Sequence, residues 1–115
     1  LLQPDVRMLV VRDRAGQVLG CGAIVLRSDA AGAYAEVKRM MVAPAARGLG
    51  LGRLLLEALE AAARREGAAA LRLETGPRQP AAIGLYEAVG FARCGPFGDY
   101  VEDPFSVFME KRLGA

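Results

Sequence analysis

Residues 42–59, VAPAARGLGLGRLLLEAL, carry a strand end through a glycine-rich turn into an amphipathic helix. The rest of the chain is organised around this stretch. Gly48, Gly50 and Gly52, with Leu49 and Leu51 between them, allow backbone angles closed to other residues, so peptide N–H groups can converge on an anion without an intervening Cβ. The helix that follows adds its positive end. Its orphan amides and macrodipole attract a diphosphate, and Arg47 and Arg53 bracket the turn with positive charge. The plainer reading is a glycine-rich turn that only caps a core helix.

Spacing narrows the ligand. A Walker P-loop requires Lys-Ser or Lys-Thr after its glycines, and none is present here. A dinucleotide-binding fingerprint started at Gly50 puts Leu55 where its third glycine should stand, which disfavours a NAD-type site. The pattern that remains is Arg47-x-x-Gly50-x-Gly52.

Composition bounds the class. The chain has 115 residues, 53% of them hydrophobic, enough for one small domain with a real core. Fifteen Lys and Arg against 13 Asp and Glu leave a net charge of +2, too little to select nucleic acid or an anionic membrane. Cys21 and Cys94 are too few for a disulfide framework and read as small buried residues. With no His, a Cys/His zinc site is excluded and no metal is expected. No run reaches the roughly 18 apolar residues of a membrane span, and the start lacks a signal-peptide pattern. A cytoplasmic protein is expected. The chain begins at Leu1 and enters a strand almost at once, the pattern of a domain truncated at its N-terminus.

Hydrophobic periodicity orders the elements. Strands are expected at Val6–Asp13 and Val18–Arg27, paired as a hairpin, with Gly20 and Gly22 allowing close approach or a bulge. Ser28–Ala33 reads as a loop and Tyr34–Val42 as a third strand. Leu51, Leu54, Leu55, Ala58, Leu59 and Ala62 then recur at helical spacing, and Gly67 supplies the stop. Ala69–Thr75 reads as a strand, Pro80–Val89 as a second helix ended by Gly90, and Phe91–Cys94 and Phe105–Lys111 as further strands. The order β-β-β-α-β-α-β-β implies an α/β (α+β) domain over residues 1–115, a mixed central sheet flanked by helices.

The Arg47-x-x-Gly50-x-Gly52 spacing resembles the coenzyme A diphosphate motif of the GNAT superfamily of N-acetyltransferases. Two further stretches share the likeness. Ala82-Ile83-x-Leu85-Tyr86-Glu87-x-x-Gly90-Phe91 resembles that family's A-x-x-L-Y-x-x-x-G-F motif, and Cys94 to Met109 resembles small bacterial members sometimes labelled indole-acetate acetyltransferases. The resemblance runs from about Val6 to Leu113. It implies acetyl-CoA as co-substrate, with pantetheine along Met41, Val42 and Ala43 and the diphosphate on residues 47–53. It also implies an amine acceptor, on a small molecule or a peptide. Two features depart from the family. Its members normally begin with a strand and two helices that build much of the acceptor pocket, and almost nothing precedes Val6. Many carry Asn where Gln79 stands, at the start of the second helix.

Each chemical role has a candidate and a plainer alternative. Glu36 lies inside an apolar strand, where burial would make its carboxylate a stronger base, and it matches the glutamate many members use to take the amine's proton. The alternative is a carboxylate paired with Lys38 or Arg39 at the sheet edge. Tyr86 matches the family's general acid, which returns a proton to the departing thiolate; the alternative is a core tyrosine. The resemblance also implies a strand bulge near Met40 or Met41, which would free a backbone N–H to polarise the thioester carbonyl. Arg78 could assist the nucleotide phosphates, with a solvated surface cation as the plainer reading. Asp99, Tyr100, Glu102 and Asp103 could attract a cationic amine or meet a second subunit in a homodimer, or form only a solvated turn closed by Asp103-Pro104. The rival function is a non-catalytic acyl-CoA sensor or interaction module.

Overall fold

The computed structural model describes residues 5–78 and 80–114. In chain order the strands are β1 (Val6–Arg12), β2 (Val18–Asp29), β3 (Gly32–Val42), β4 (Ala70–Thr75), β5 (Ala92–Cys94) and β6 (Val107–Arg112). The helices are α1 (Leu51–Arg65), between β3 and β4, and α2 (Pro80–Ala88), between β4 and β5. The sheet order is β1-β2-β3-β4-β6-β5. Only β3 and β4 run parallel, joined through α1; the other neighbours are antiparallel. This is the mixed sheet and element order expected from the sequence.

Alternation along β3 sorts the two faces. Ala35 and Val37 point at the helices and join a core with Ile24, Leu56, Leu59, Leu71, Leu73 and Met109. Tyr34, Glu36 and Lys38 point the other way. There Tyr34 packs with Ala70, Phe97 and Phe108 in a second cluster that Tyr100 borders. With apolar layers on both faces, the alternating residues Val107, Phe108 and Met109 are all buried.

Three local expectations change. Ser28–Ala33 is a tight hairpin, because the Asp29 carboxylate accepts the Ala31 N–H at 2.8 Å and Gly32 takes φ 125°, so the ladder continues through Ser28 and Ala33. The buried stripe of α1 runs through Leu55, Leu56, Leu59, Ala62 and Ala63, so it is rotated from the expected one and leaves Leu54 and Ala58 exposed. The last strand starts at Val107, since the Asp103 side chain and carbonyl hold the N–H groups of Phe105 and Ser106 in a turn. Cys21 and Cys94 are free thiols, half-buried instead of enclosed.

Both helices end in the same way. Gly67 has φ 80°, the Ala68 N–H reaches Ala63 O at 3.0 Å, and the Gly67 N–H reaches Arg64 O at 3.1 Å, a Schellman turn. At the end of α2, Gly90 has φ 105°, the Phe91 N–H reaches Tyr86 O at 2.9 Å, and the Gly90 N–H reaches Glu87 O at 3.0 Å. The hydrophobic contact that accompanies such a turn is here Phe91 against Tyr86, edge-on with ring centroids 5.7 Å apart. The spacing Leu-Tyr-x-x-x-Gly-Phe is therefore a helix stop that fixes the tyrosine ring.

A side chain at Gly90 must hold a backbone angle that L-residues avoid, at about 1–2 kcal/mol. It would also meet Lys111 Cε at 3.2 Å. Gly90→Ala is expected to lower unfolding free energy in urea by at least that amount, whereas Gly76→Ala, which enters open space without a positive φ, stays within about 0.5 kcal/mol of the parent.

Candidate functional site

The site begins where β3 and β4 stop pairing. Ala69 N–H donates to Ala33 O, and the strands then match only at Ala35↔Leu71 and Glu36↔Arg72. Beyond that point β3 stays with β2 as far as Val42, and β4 stays with β6 as far as Thr75. The gap between them is a cleft of ≈ 380 Å³ whose wall includes Glu36, Lys38, Met40, Thr75, Tyr86 and Tyr100. Tyr86 reaches it from the helix face and Glu36 from the opposite one, so the gap opens on both sides of the sheet.

Just past the parting point β3 is bulged. Cys21 faces Met41 and Ala23 faces Lys38, so Arg39 and Met40 together oppose Gly22. Arg39 takes φ 55°, unusual for a residue with a side chain. A Cβ at Gly22, opposite the bulge, would lie 2.8 Å from Met40 Sδ and 3.0 Å from Leu59 Cδ1, so these side chains would have to shift to admit one. The bulge falls at Arg39–Met40, next to the position that the family resemblance implied.

On the helix side the gap widens into a groove of ≈ 680 Å³. Of the predicted cofactor residues, Met41, Val42, Arg47, Gly48, Gly50, Leu51, Gly52 and Arg53 line it. Ala43 and Leu49 are not on its wall: the Ala43 N–H is spent on Leu19 O at 2.8 Å, and the Leu49 side chain projects outward, 71% exposed. Because successive strand amides point to opposite edges, the bond at Ala43 directs the Val42 N–H toward the groove. Gln79 lies outside the described residues. Arg78 is exposed and stands on the groove wall, so both readings of it stay open.

The turn itself is open to an anion. Gly48 and Gly50 take φ 84° and 78°, and nothing lies within 4 Å of where their Cβ atoms would be. The Arg47 N–H is consumed by Pro44 O at 3.3 Å, and the first bond of α1 runs from the Leu54 N–H to Gly50 O. The N–H groups of Leu51, Gly52 and Arg53 are thus the orphan donors of a helix start, without a side-chain cap. Gly52 has another purpose, since a Cβ there would meet Leu85 Cδ2 of α2 at 2.8 Å. Arg47, Arg53 and Arg78 line the groove and, among the described residues, no carboxylate does. Arg53 shares its Nε with Glu57 at 3.2 Å.

On the other face Glu36 is 3% exposed, as its apolar strand implied, but it is not isolated. Oε1 accepts Arg27 Nε at 3.0 Å, and Oε2 accepts the Tyr100 hydroxyl at 2.6 Å with Lys38 Nζ 3.7 Å away. Lys38 was a foreseen partner; Arg39 does not pair with Glu36, and Arg27 and Tyr100 were missed. Strand register could have found Arg27, which sits opposite Tyr34 on the face of Glu36. Tyr100 comes from a loop 64 residues on, and no local spacing announces it. Of the acidic loop, Asp99 and Tyr100 border a second cleft of ≈ 610 Å³ beside Arg27, Glu36 and Lys38. Glu102 is exposed and Asp103 caps its own turn.

Burial holds the Tyr86 hydroxyl protonated above the ordinary tyrosine range. It has no hydrogen-bond partner among the described residues, although it borders both the gap and the groove. Burial, then the hydrogen bond to Glu36, push Tyr100 much further up. No group of three His, Cys, Asp or Glu among the described residues could hold a metal ion, and no described helix is long and apolar enough to cross a membrane.

Residues 1–91 match the Acetyltransferase (GNAT) family. The chain belongs to that family. An IAA acetyltransferase of Azospirillum brasilense is 56% identical over 113 residues, 98% of this chain and 72% of the relative. An uncharacterized N-acetyltransferase of Bacillus subtilis (strain 168) is 37% identical over 100 residues, and the match spans 64% of its length. A crystal structure from Klebsiella pneumoniae, described only provisionally as an acyl-CoA N-acyltransferase, superposes with TM-score 0.89 at 47% identity, covering 98% of this chain and 77% of that one. These names favour an enzyme over the non-catalytic sensor.

The raised Tyr100 sets an alkaline limit on stability. A hydroxyl whose ionisation is pushed up on folding contributes stability that is whole below its unfolded value near pH 10 and is lost as pH rises beyond it. Unfolding free energy should fall above pH 10, and Tyr100→Phe should flatten that fall. At pH 7 the same change removes a hydrogen bond to a buried carboxylate and should cost about 1.5–3 kcal/mol in urea titrations.

Proposed function

We propose that this GNAT domain is an acetyl-CoA-dependent N-acetyltransferase, cytoplasmic, which passes the acetyl group directly to an amine in a ternary complex. One observation carries the reading: the gap between β3 and β4 joins an arginine-lined groove, free of carboxylates among the described residues, to a cleft floored by a buried glutamate, with Tyr86 at the junction. The groove fits coenzyme A on its own residues. Orphan N–H groups at the start of α1 and the open turn at Gly48 and Gly50 suit a diphosphate, with Arg47, Arg53 and Arg78 adding charge. Val42 offers a strand-edge N–H to an extended amide chain, as an added strand would use it. Met41 supplies apolar wall, and Gln79 stays a candidate at the foot of α2.

Acetyl-CoA, when bound, supplies an acyl thioester open to attack by a neutral amine. Glu36 accepts the proton that the acceptor's ammonium must lose, directly or through one water, at Oε2, where Lys38 at 3.7 Å is the loosest of its partners. The bulge at Arg39–Met40 offers a backbone N–H to the carbonyl oxygen as negative charge develops there. Tyr86 gives its hydroxyl proton, kept in place until then by burial, to the leaving sulfur, and the tyrosinate takes up the second nitrogen proton as the amide forms. The acceptor enters from the face of Glu36, opposite the groove, so the two substrates meet in the gap. A small molecule fits the ≈ 610 Å³ cleft there, as does the end of a peptide.

Two measurements test this reading. Titration calorimetry should show acetyl-CoA binding that Gly50→Glu weakens by at least about tenfold, since that side chain puts a like charge and a strained φ into the cradle. Tyr86→Phe should lower kcat by about 10²-fold or more while the acetyl-CoA Kd changes less than about threefold, the mark of a group acting at the chemical step. Equal losses in both would make Tyr86 a packing residue.

A further inference from the structure

Arg27 is held in place from behind. Its Nε is fixed at 3.0 Å on the buried Glu36 carboxylate, and neither terminal nitrogen has a partner among the described residues. The half-exposed guanidinium therefore presents a fixed two-pronged donor to the ≈ 610 Å³ cleft, beside Ser28. Such a fork matches a carboxylate through two parallel hydrogen bonds. The charges on the wall balance, Arg27 and Lys38 against Glu36 and Asp99, and a molecule that carries both signs matches such a wall, its carboxylate on Arg27 and its ammonium toward the acids.

We propose that the acceptor is an amine that also carries a carboxylate, bound by the terminal nitrogens of Arg27 while the amine faces Glu36. This rests on the N-acetyltransferase reading and names its acceptor class. Arg27 is the specificity residue of the cleft. Its grip on Glu36 couples the two tasks, because the guanidinium that holds the acid also orients the carboxylate that takes the proton.

The test pairs amines that differ only in the acid: β-alanine with propylamine, and phenylalanine with phenethylamine. Acetylation is followed by thiol release from acetyl-CoA, and binding by calorimetry with N-acetyl-β-alanine and N-propylacetamide. The acids should be preferred in kcat/KM by about 10–100-fold, the worth of a charge-assisted pair. Arg27→Met should erase that preference and abolish binding of N-acetyl-β-alanine; because it also frees Glu36 Oε1 it slows acids and plain amines together, so the readout is the acid-to-amine ratio of kcat/KM. Arg27→Lys keeps a cation against Glu36 without the fork; it should recover only part of the preference, and it serves where Arg27→Met does not fold. Plain amines used as well as their acids, or acids and amines impaired alike by Arg27→Lys, would overturn the proposal, as would failure of any carboxylate to bind. Carboxylate binding that needs Arg27 but leads to no acetylation would support the acid site and sink the enzymatic reading alone.

Discussion

The structure depends on two parallel strands that separate. β3 and β4 are each secured on the far side, β3 by β2 and β4 by β6, so their mutual pairing can end at Glu36 and Arg72 without either strand unravelling. The facing edges beyond that point carry peptide groups that no neighbouring strand satisfies, and buried peptide groups must find partners. A polar, extended ligand or water has to supply them. The bulge at Arg39–Met40 belongs to the same device: it adds twist next to the opening, and Gly20 and Gly22 across from it let the bent strand lie close to β2 and α1.

The two sides of the opening rely on different physics. The helix side uses the backbone: the start of α1, a turn with two glycines at positive φ, and the edge of β3. Backbone devices constrain residue type at fixed spacing, and this is why the glycine turn and the Gly90 helix stop could be read along the chain, whereas the bulge was implied only by the family resemblance. Gly52 is a partial exception. Its place in the motif was legible, but its reason is the approach of Leu85 across two helices, a contact between residues 33 apart.

The opposite side uses side chains brought together by folding. Arg27, Glu36, Lys38 and Tyr100 come from β2, β3 and the loop before β6, and their meeting requires the register of the first hairpin and the aromatic packing of Phe97, Tyr100 and Phe108. Glu36 stood out in the sequence as a charge in an apolar run, with Lys38 a possible partner and Tyr100 noted only as part of an acidic loop; nothing local joined Tyr100 or Arg27 to Glu36. The rotated stripe of α1 has a related cause: a helix period marks a face to within a residue or so, and the position of β2 and β3 beneath the helix selects Leu56 over Leu54. The hairpin at Asp29–Gly32 escaped because small residues read as loop, while Asp29 closes the turn with one oxygen and pairs with Arg72 through the other.

A lone carboxylate at the position of Glu36 would be costly, because a charge taken out of water without compensation destabilises a protein by several kcal/mol. Arg27, Lys38 and the Tyr100 hydroxyl remove that cost, and they do so unevenly. Oε1 is committed to a guanidinium that the hairpin holds still. Oε2 faces a hydroxyl anchored in an aromatic cluster and a flexible lysine that stands further off. A group that must take up a proton and give it back needs one oxygen that stays put and one whose surroundings can yield. The proposed role of base therefore asks the Tyr100 and Lys38 contacts at Oε2 to give way as the proton arrives, while Arg27 keeps Oε1 in place.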